Sequence, residues 1–182
     1  MDGNHENFDR LYSYPVKEWN GGKVHEIRPS VLHLMRGEVF TIEDKKFFAF
    51  GGASSHDIKD GILDPNTEAD LIKKWAREFK VFRILGMSWW PQELPSDEEI
   101  QNGINNLAQN DNKVDFIITH SPCASTIGVL GQGMYKQDVL TRYLQEIRRN
   151  TMFRKWICGH MHCDMNVSAE EMILYDQIIR IN

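Results

Sequence analysis

Two short apolar segments, each followed at once by histidine, constrain the fold of this chain more than any other feature. The segment VDFIIT (114–119) leads directly into His120, and FRKWIC (153–158) leads into the loop GHMH, which holds His160 and His162. An amphipathic stretch at 137–149 lies between them, so the order strand, helix, strand predicts a layered α/β fold. In such folds, loops at the carboxyl ends of strands carry the chemistry.

Two further strands and two further helices are predicted ahead of this unit. The strands cover 31–42, with a turn inside, and 45–53, which ends at paired glycines. The helices cover 67–80 and a segment that starts at Ser96, because apolar residues recur there at helical spacing. Each helix also begins with a capping-box pattern. The two predicted boxes pair Thr67 with Asp70 and Ser96 with Glu99.

Three segments are predicted to be loops. Residues 1–30 are rich in Asn, Gly and Pro and leave room for one helical turn, and residues 54–65 follow the paired glycines. The segment GVLGQG (128–133) lacks the G-K-[ST] ending of a phosphate-binding loop, so it is predicted to be a flexible loop. All elements together fit one domain over residues 1–182.

Composition excludes several classes of function. No apolar run reaches the roughly 18 residues of a membrane-spanning helix, and the polar, acidic start does not resemble a signal peptide. The net charge of −5 argues against a broad nucleic-acid surface. The three cysteines lack the C-x-x-C spacing of a thiol-redox site or a zinc ribbon, and unpaired thiols suit a reducing compartment. The sequence therefore predicts a cytoplasmic protein with no membrane partner.

Four of the seven histidines fall in three tight loops. His5 lies in GNHE, His120 in THSP, and His160 and His162 in GHMH. Imidazole is the commonest nitrogen ligand of transition metals, and Asn4 adds a carbonyl oxygen. Each loop alone is ordinary, since a single histidine after a strand is more often a hydrogen-bonded structural residue. The three together, in this order, predict a metal site.

The other histidines have weaker settings. His33 lies inside a predicted strand and is expected to be a packing or surface residue, and His25 has no motif around it. His56, beside Asp57, has two interpretations, a substrate-loop role or a loop hydrogen bond, and the second is favoured. Cys158 and Cys163 flank GHMH, but Cys158 ends an apolar strand and is expected to be buried rather than a zinc ligand.

The motifs GNHE, THSP and GHMH, in this order and at about these separations, resemble the last three of the five signature blocks of the calcineurin-like metallophosphoesterases. The stretches GGASSHD and SWWPQE also resemble segments of small bacterial and phage-type members. The resemblance covers essentially the whole chain. It implies a four-layer α/β/β/α sandwich with a two-metal centre at the loop edges of the sheets.

The resemblance also implies roles for five residues. Asn4, His120 and His160 correspond to ligands of one metal, and His162 corresponds to a ligand of the other. His5 corresponds to the histidine that protonates the leaving oxygen or steadies the phosphoryl charge. The implied reaction is hydrolysis of a phosphate mono- or diester by a hydroxide that two divalent ions (Mn, Fe or Zn) activate. Phosphoprotein, nucleotide and nucleic-acid substrates stay open.

One departure from the family pattern leads to a second hypothesis. The first two family blocks, D-x-H and G-D-x-x-D, are absent, and only Met1 and Asp2 precede GNHE. This predicts a carboxyl-terminal portion of a longer enzyme that lacks an N-terminal β-α-β unit, holds one or no metal, and pairs with the missing segment or with another chain. The alternative function is an inactive metal-binding or interaction domain. Asp2 lies too close to Asn4 in sequence to be expected to replace the bridging carboxylate.

Overall fold

The chain folds into a mixed α/β structure, which a computed structural model describes over residues 1–131 and 136–181. Its strands are β1 (Val16–Trp19), β2 (Gly22–Arg28), β3 (Val31–Leu34), β4 (Glu38–Ile42), β5 (Lys45–Phe50), β6 (Gly61–Leu63), β7 (Phe82–Ile84), β8 (Phe116–Thr119), β9 (Lys155–Cys158), β10 (Met165–Asn166) and β11 (Glu171–Ile173). Its helices are α1 (Phe8–Tyr12), α2 (Ala69–Arg77), α3 (Asp97–Gln109), α4 (Ala124–Leu130) and α5 (Val139–Asn150), with one 3₁₀ turn at Pro91–Glu93.

A mixed six-stranded sheet forms the centre of the molecule. Its strand order is β10-β11-β9-β8-β5-β4, and the four inner strands run parallel while β4 and β10 are antiparallel to their neighbours. The inner strands are short apolar runs, as expected of parallel strands that are covered on both faces. A three-stranded antiparallel sheet (β1-β2-β3) and a parallel pair (β6-β7) complete the strand pairing among the described residues.

Alternating side chains of β5 fill two separate cores. Phe48 and Phe50 pack with Leu140 of α5 in a cluster between the central sheet and its helices. Phe47 faces the other way and packs with Val24 of β2, so the three-stranded sheet covers this second face. The period of two along a strand explains the division. The result is a helix layer, a six-stranded sheet and a facing three-stranded sheet.

The loop predicted for residues 1–30 is wrong where β1 and β2 form, whereas the one helical turn that the prediction allowed is present as α1. The turn between β1 and β2 is formed by Asn20 and Gly21, which both adopt positive φ (50° and 90°). A two-residue Asn-Gly turn of this kind matches the twist of a β-hairpin. Asn and Gly residues that indicated a loop therefore form the turn of a hairpin.

Three other local predictions need correction. The parallel pair β6-β7 lies partly in the segment predicted to be loop over 54–65. Helix α2 begins after Glu68, whose side chain makes no capping bond, so the capping box of Thr67 with Asp70 does not form. Helix α4 includes the first three residues of GVLGQG, and positions 132 and 133 of that motif lie outside the described residues.

The remaining predicted elements agree with the structure. The capping box of Ser96 with Glu99 forms at the start of α3. Strands β5, β8 and β9 and helix α5 lie within a few residues of their predicted bounds. Cys158 is buried as expected, and burial raises the pKa of its thiol. Within residues 1–131 and 136–181, none of the helices has both the length and the apolar composition needed to cross a bilayer.

Candidate functional site

Three neighbouring parallel strands end at one edge of the central sheet, and the loop after each of them carries a histidine. The loop after β5 carries His56, β8 runs directly into His120, and the loop after β9 carries His160. These strands lie side by side and point the same way, so their following loops meet. The rings of His56 and His120 lie 5.2 and 5.1 Å from the ring of His160, centroid to centroid. These three residues are called the imidazole cluster below.

Asn4 reaches this edge because the chain around it is tied to the loop after β5. The backbone N–H of Gly52 donates to Asp2 O at 3.1 Å, and the Asn4 side-chain N–H donates to Ser55 Oγ at 3.1 Å. The amide is thereby oriented so that Asn4 Oδ1 lies 3.3 Å from His120 Nε2. A Cβ on Gly3 would lie 3.1 Å from the same His120 nitrogen, so a larger residue here would require the His120 ring to shift.

Glu93 supports Asn4 through Ser55. The backbone N–H of Ser55 donates to Glu93 Oε2 at 3.1 Å, and the Glu93 side chain is buried. Burial raises the pKa of Glu93 to about 6, although the bonds from Ser55 act in the opposite direction. Glu93, Ser55 and Asn4 thus form a chain of buried hydrogen bonds. This chain holds the Asn4 side-chain amide in place at the site.

The loop after β9 holds His160 and His162 in an unusual backbone conformation. Their φ angles are 67° and 50°, the left-handed region. Gly159 N–H donates to His120 O at 3.0 Å, and Met161 N–H donates to Gly159 O at 2.8 Å, so the loop is anchored to the end of β8. Non-glycine residues persist in this region where the surroundings fix them, and such positions cluster at functional sites.

A pocket of about 280 Å³ opens over this loop. Its lining includes Asn4, His5, His56, Asp57, His160 and His162. The His162 ring stacks on Tyr175, with 5.2 Å between centroids. His5 is exposed, and its Nε2 lies 3.4 Å from Asn4 Nδ2. The structure thus brings all five predicted site residues to one edge of the sheet. His120 lies outside the pocket lining and contacts Asn4 and the His160 ring.

Arg83 holds the carboxylate that lines the pocket. Its Nε donates to Asp57 Oδ1 at 3.0 Å, a second nitrogen donates to Oδ2, and Nη1 donates to Ser88 O at 3.3 Å. This pairing lowers the pKa of Asp57, with the hydrogen bond from Arg83 as the main cause. Asp57 is therefore an ionised carboxylate beside His56, already balanced by a guanidinium.

Asp2 serves a different purpose from Asn4, although only Gly3 separates them. Arg36 donates to Asp2 Oδ2 from Nε at 2.9 Å and from Nη2 at 2.5 Å, and His33 Nε2 donates to Oδ1 at 2.9 Å. Burial alone would raise the pKa of Asp2, but the bond from His33 and the charge of Arg36 outweigh it and lower the pKa to about 2. Glu99 contacts Arg36 at 3.1 Å. Asp2, His33, Arg36 and Glu99 are called the ion-pair cluster below.

The imidazole nitrogens and the Asn4 amide oxygen at the sheet edge are donor atoms of the kinds that transition metals bind. Burial lowers the pKa of His120, and burial with the neighbouring imidazoles lowers that of His160 to about 3, so both rings are neutral at pH 7. Neutral imidazole is the form that binds metal. Across residues 1–131 and 136–181, however, no three His, Cys, Asp or Glu side chains converge closely enough to form a metal-binding group. The donors are arranged as pairs.

The sequence does not single out three residues of this site: Ser55, Glu93 and Arg83. His56 makes a hydrogen bond, as favoured for it, and the partner is His160 Nε2 at 3.2 Å. A signal for two of the three was present, because Ser55 lies in GGASSHD and Glu93 lies in SWWPQE. The Arg83 contact joins segments that are distant in sequence, so no local pattern indicates it.

Comparison with known proteins gives no family for this chain. No protein-family model, no curated protein and no solved structure matches it. Function must therefore be inferred from the site itself and from the motifs that form it.

Proposed function

We propose that this chain is a metal-dependent phosphoesterase domain that hydrolyses phosphate mono- or diesters. The observation that carries the proposal is the meeting of Asn4, His120 and His160 at one sheet edge from three separate segments. These are the residues that the metallophosphoesterase resemblance assigns to one metal. The helix layer and the two facing sheets correspond to three layers of the α/β/β/α sandwich that we propose as the full fold.

The proposed ligands would be Asn4 Oδ1 and the imidazoles of His120 and His160 for one divalent ion, with His162 for the other. Bound divalent ions supply positive charge that offsets the phosphoryl oxygens and lower the pKa of water. The chain itself fixes the donors before binding. Ser55 orients the Asn4 amide, and the anchored loop after β9 holds His160.

His5 is the proposed proton donor to the leaving oxygen. It is exposed on the pocket and belongs to the same loop as Asn4, so a bound phosphate ester can reach it. His5 would give this proton as the imidazolium, which becomes a neutral ring when the leaving oxygen takes the proton.

The test compares His5→Ala with the unmodified chain and with Glu18→Ala, an exposed residue on β1. Hydrolysis of p-nitrophenyl phosphate and of bis-p-nitrophenyl phosphate is measured with Mn²⁺, Fe²⁺ or Zn²⁺, and bound metal is measured by elemental analysis. General acid catalysis contributes about 10²–10⁴-fold, so we expect kcat to fall by about that factor with bound metal unchanged. Equal turnover in His5→Ala and Glu18→Ala would remove His5 from the mechanism.

A metal-binding domain without catalysis is the second candidate function. One observation favours it: Asp2, two residues before Asn4, and Asp57, next to His56, are both engaged by arginines. A two-metal centre gains its bridging ligand from a carboxylate, and neither of these is available for that role. One bound metal with no turnover in the same assay would favour this candidate, and two bound metals with turnover would favour the phosphoesterase.

A further inference from the structure

The dipeptide Asn-Gly occurs twice in the chain, in contrasting surroundings. Asn20-Gly21 forms the turn of the β1-β2 hairpin, and both residues are exposed. Asn102-Gly103 lies in the middle of α3, where Gly103 is buried. We propose that Asn20 is a site of spontaneous deamidation, a covalent modification that needs only water as co-reactant, and that the fold protects Asn102 from the same reaction.

The reaction is an attack of the backbone on the neighbouring side chain. The Gly21 backbone nitrogen forms a bond to Asn20 Cγ, and the side-chain nitrogen leaves as ammonia with the proton of the Gly21 N–H. The cyclic imide that results takes up one water molecule and opens to aspartate or to isoaspartate, in which the main chain runs through Cγ. No group is oxidised or reduced. Glycine favours the attack because it has no Cβ beside the attacking nitrogen.

The hairpin turn leaves the reacting atoms room to move. Asn20 has a φ of 50° and Gly21 a φ of 90°, and the nearest atom that a Cβ on Gly21 would meet is Val39 O at 3.8 Å. Thr41 N–H donates to Asn20 O at 2.8 Å, a bond that involves neither Asn20 Cγ nor the Gly21 nitrogen. Exposed loop tips open at little cost in free energy compared with core elements. The approach of Gly21 N to Asn20 Cγ therefore disrupts few contacts.

The surroundings of Asn102 oppose the same approach. Its side-chain N–H groups donate to Arg36 O at 3.2 Å and to Glu38 Oε1 at 3.0 Å. Its side-chain oxygen accepts a hydrogen bond from Asn106 at 3.3 Å. Gly103 is buried inside α3, where backbone N–H groups bond to the preceding turn of the helix. Asn102 Cγ can meet the Gly103 nitrogen only after α3 opens locally, so the helix slows the reaction.

Deamidation changes the turn in charge and in length. Both products replace a neutral amide by a carboxylate. Isoaspartate also adds a carbon atom to the main chain between Trp19 and Gly22, which pair with each other across the hairpin. Gly22 packs on Phe40, since a Cβ on Gly22 would lie 2.7 Å from that ring. Isoaspartate therefore alters the geometry of a turn that borders the second core, whereas aspartate alters its charge alone.

The experiment compares the two dipeptides in the folded and in the unfolded chain. The unmodified protein is kept at mildly alkaline pH in buffer and, in parallel, in concentrated guanidinium chloride. Samples taken over time are digested with trypsin and analysed by mass spectrometry. Trypsin places the dipeptides in different peptides, 18–23 and 84–113, and Asn20 is the only amide side chain of the first. Asn20→Ser is the control, and its peptide 18–23 should keep a constant mass.

Protection of each asparagine is its rate in guanidinium chloride divided by its rate in the folded chain. We expect similar rates for the two in guanidinium chloride, because unfolding removes the difference in surroundings. Protection should be at least about 10-fold greater for Asn102 than for Asn20, because a helix costs more free energy to open than a turn. A smaller ratio would overturn the proposal, and so would an Asn20 that stays intact in the folded chain while the unfolded chain converts completely. Aspartate at position 20 without isoaspartate would also overturn it, because direct hydrolysis gives no isoaspartate.

Discussion

The ion-pair cluster and the imidazole cluster use polar side chains in opposite ways. In the ion-pair cluster, both oxygens of Asp2 accept bonds from Arg36 and His33, so each charge meets its counter-charge. In the imidazole cluster, ring nitrogens lie within hydrogen-bond distance of another ring nitrogen or of the Asn4 amide oxygen. The first arrangement fixes the backbone. The second brings together donor atoms of the kind that the proposed function requires.

The largest expected effect comes from breaking the ion-pair cluster. Asp2→Ala leaves the Arg36 guanidinium buried without its main partner, because both side chains are about 1% exposed. Removing one partner of a buried pair costs about 3–5 kcal/mol, so we expect the free energy of unfolding to fall by that amount in urea titrations. The control is Lys17→Ala, which breaks the exposed pair with Glu26 and should cost about 0–1 kcal/mol. Similar losses in the two variants would contradict the distinction.

The second-largest expected effect is a loss of folding stability at low pH. The pKa of Asp2 is lowered from 3.8 to about 2 in the folded chain, so the unfolded chain binds this proton at higher pH than the folded chain. The contribution of Asp2 is therefore complete above about pH 4 and is lost as the pH falls toward 2, with a size of about 2 kcal/mol. Unfolding free energies between pH 5 and pH 2 should fall more steeply in the unmodified chain than in Asp2→Asn. Parallel profiles would show that Asp2 does not titrate as assigned.

The smallest expected effect on stability comes from a substitution next to the imidazole cluster. Ser55→Ala removes the acceptor of the Asn4 side-chain N–H, and an unsatisfied buried donor costs about 1–3 kcal/mol, with the low end expected because the pocket admits water. Zinc affinity should fall about 10–100-fold, since the amide is no longer oriented. Ser54→Ala, the neighbouring position, is the matched control. Ser55→Ala with the stability and zinc affinity of Ser54→Ala would show that Asn4 needs no such support.

Much of the central sheet could be predicted because the residues that identify each strand are neighbours in the sequence. Strands β8 and β9 are apolar runs that end in histidine, and α5 has a clear apolar face, so period and length identify them. The β6-β7 pair could not be predicted in this way. Each of its strands has three residues, and what holds them is pairing between Gly61 and Phe82, which are far apart in sequence. The β1-β2 hairpin was predictable, since Asn20-Gly21 is a strong turn signal.

Site residues that belong to a short sequence motif could be predicted. Residues that only the order of the strands brings together were harder to predict. Asn4, His120 and His160 were found as members of short motifs, and the structure places them together. His56 was treated as a loop residue although it follows a predicted strand, as His120 and His160 do. The rule that chemistry gathers at carboxyl ends of parallel strands applies equally to β5. What sequence could not supply is the neighbour relation of β5, β8 and β9.

That neighbour relation has a consequence for how the molecule acquires its site. Phe47 pairs with Phe116 and Ile118 with Ile157, so the edge that carries the imidazoles exists only after long stretches of chain have closed on each other. Chains dominated by such non-local pairing fold slowly, because loop closure costs entropy before the contacts form. Uptake of zinc after dilution from denaturant would therefore be a late event in refolding. It would report completion of the parallel sheet, which recovery of helical signal alone does not.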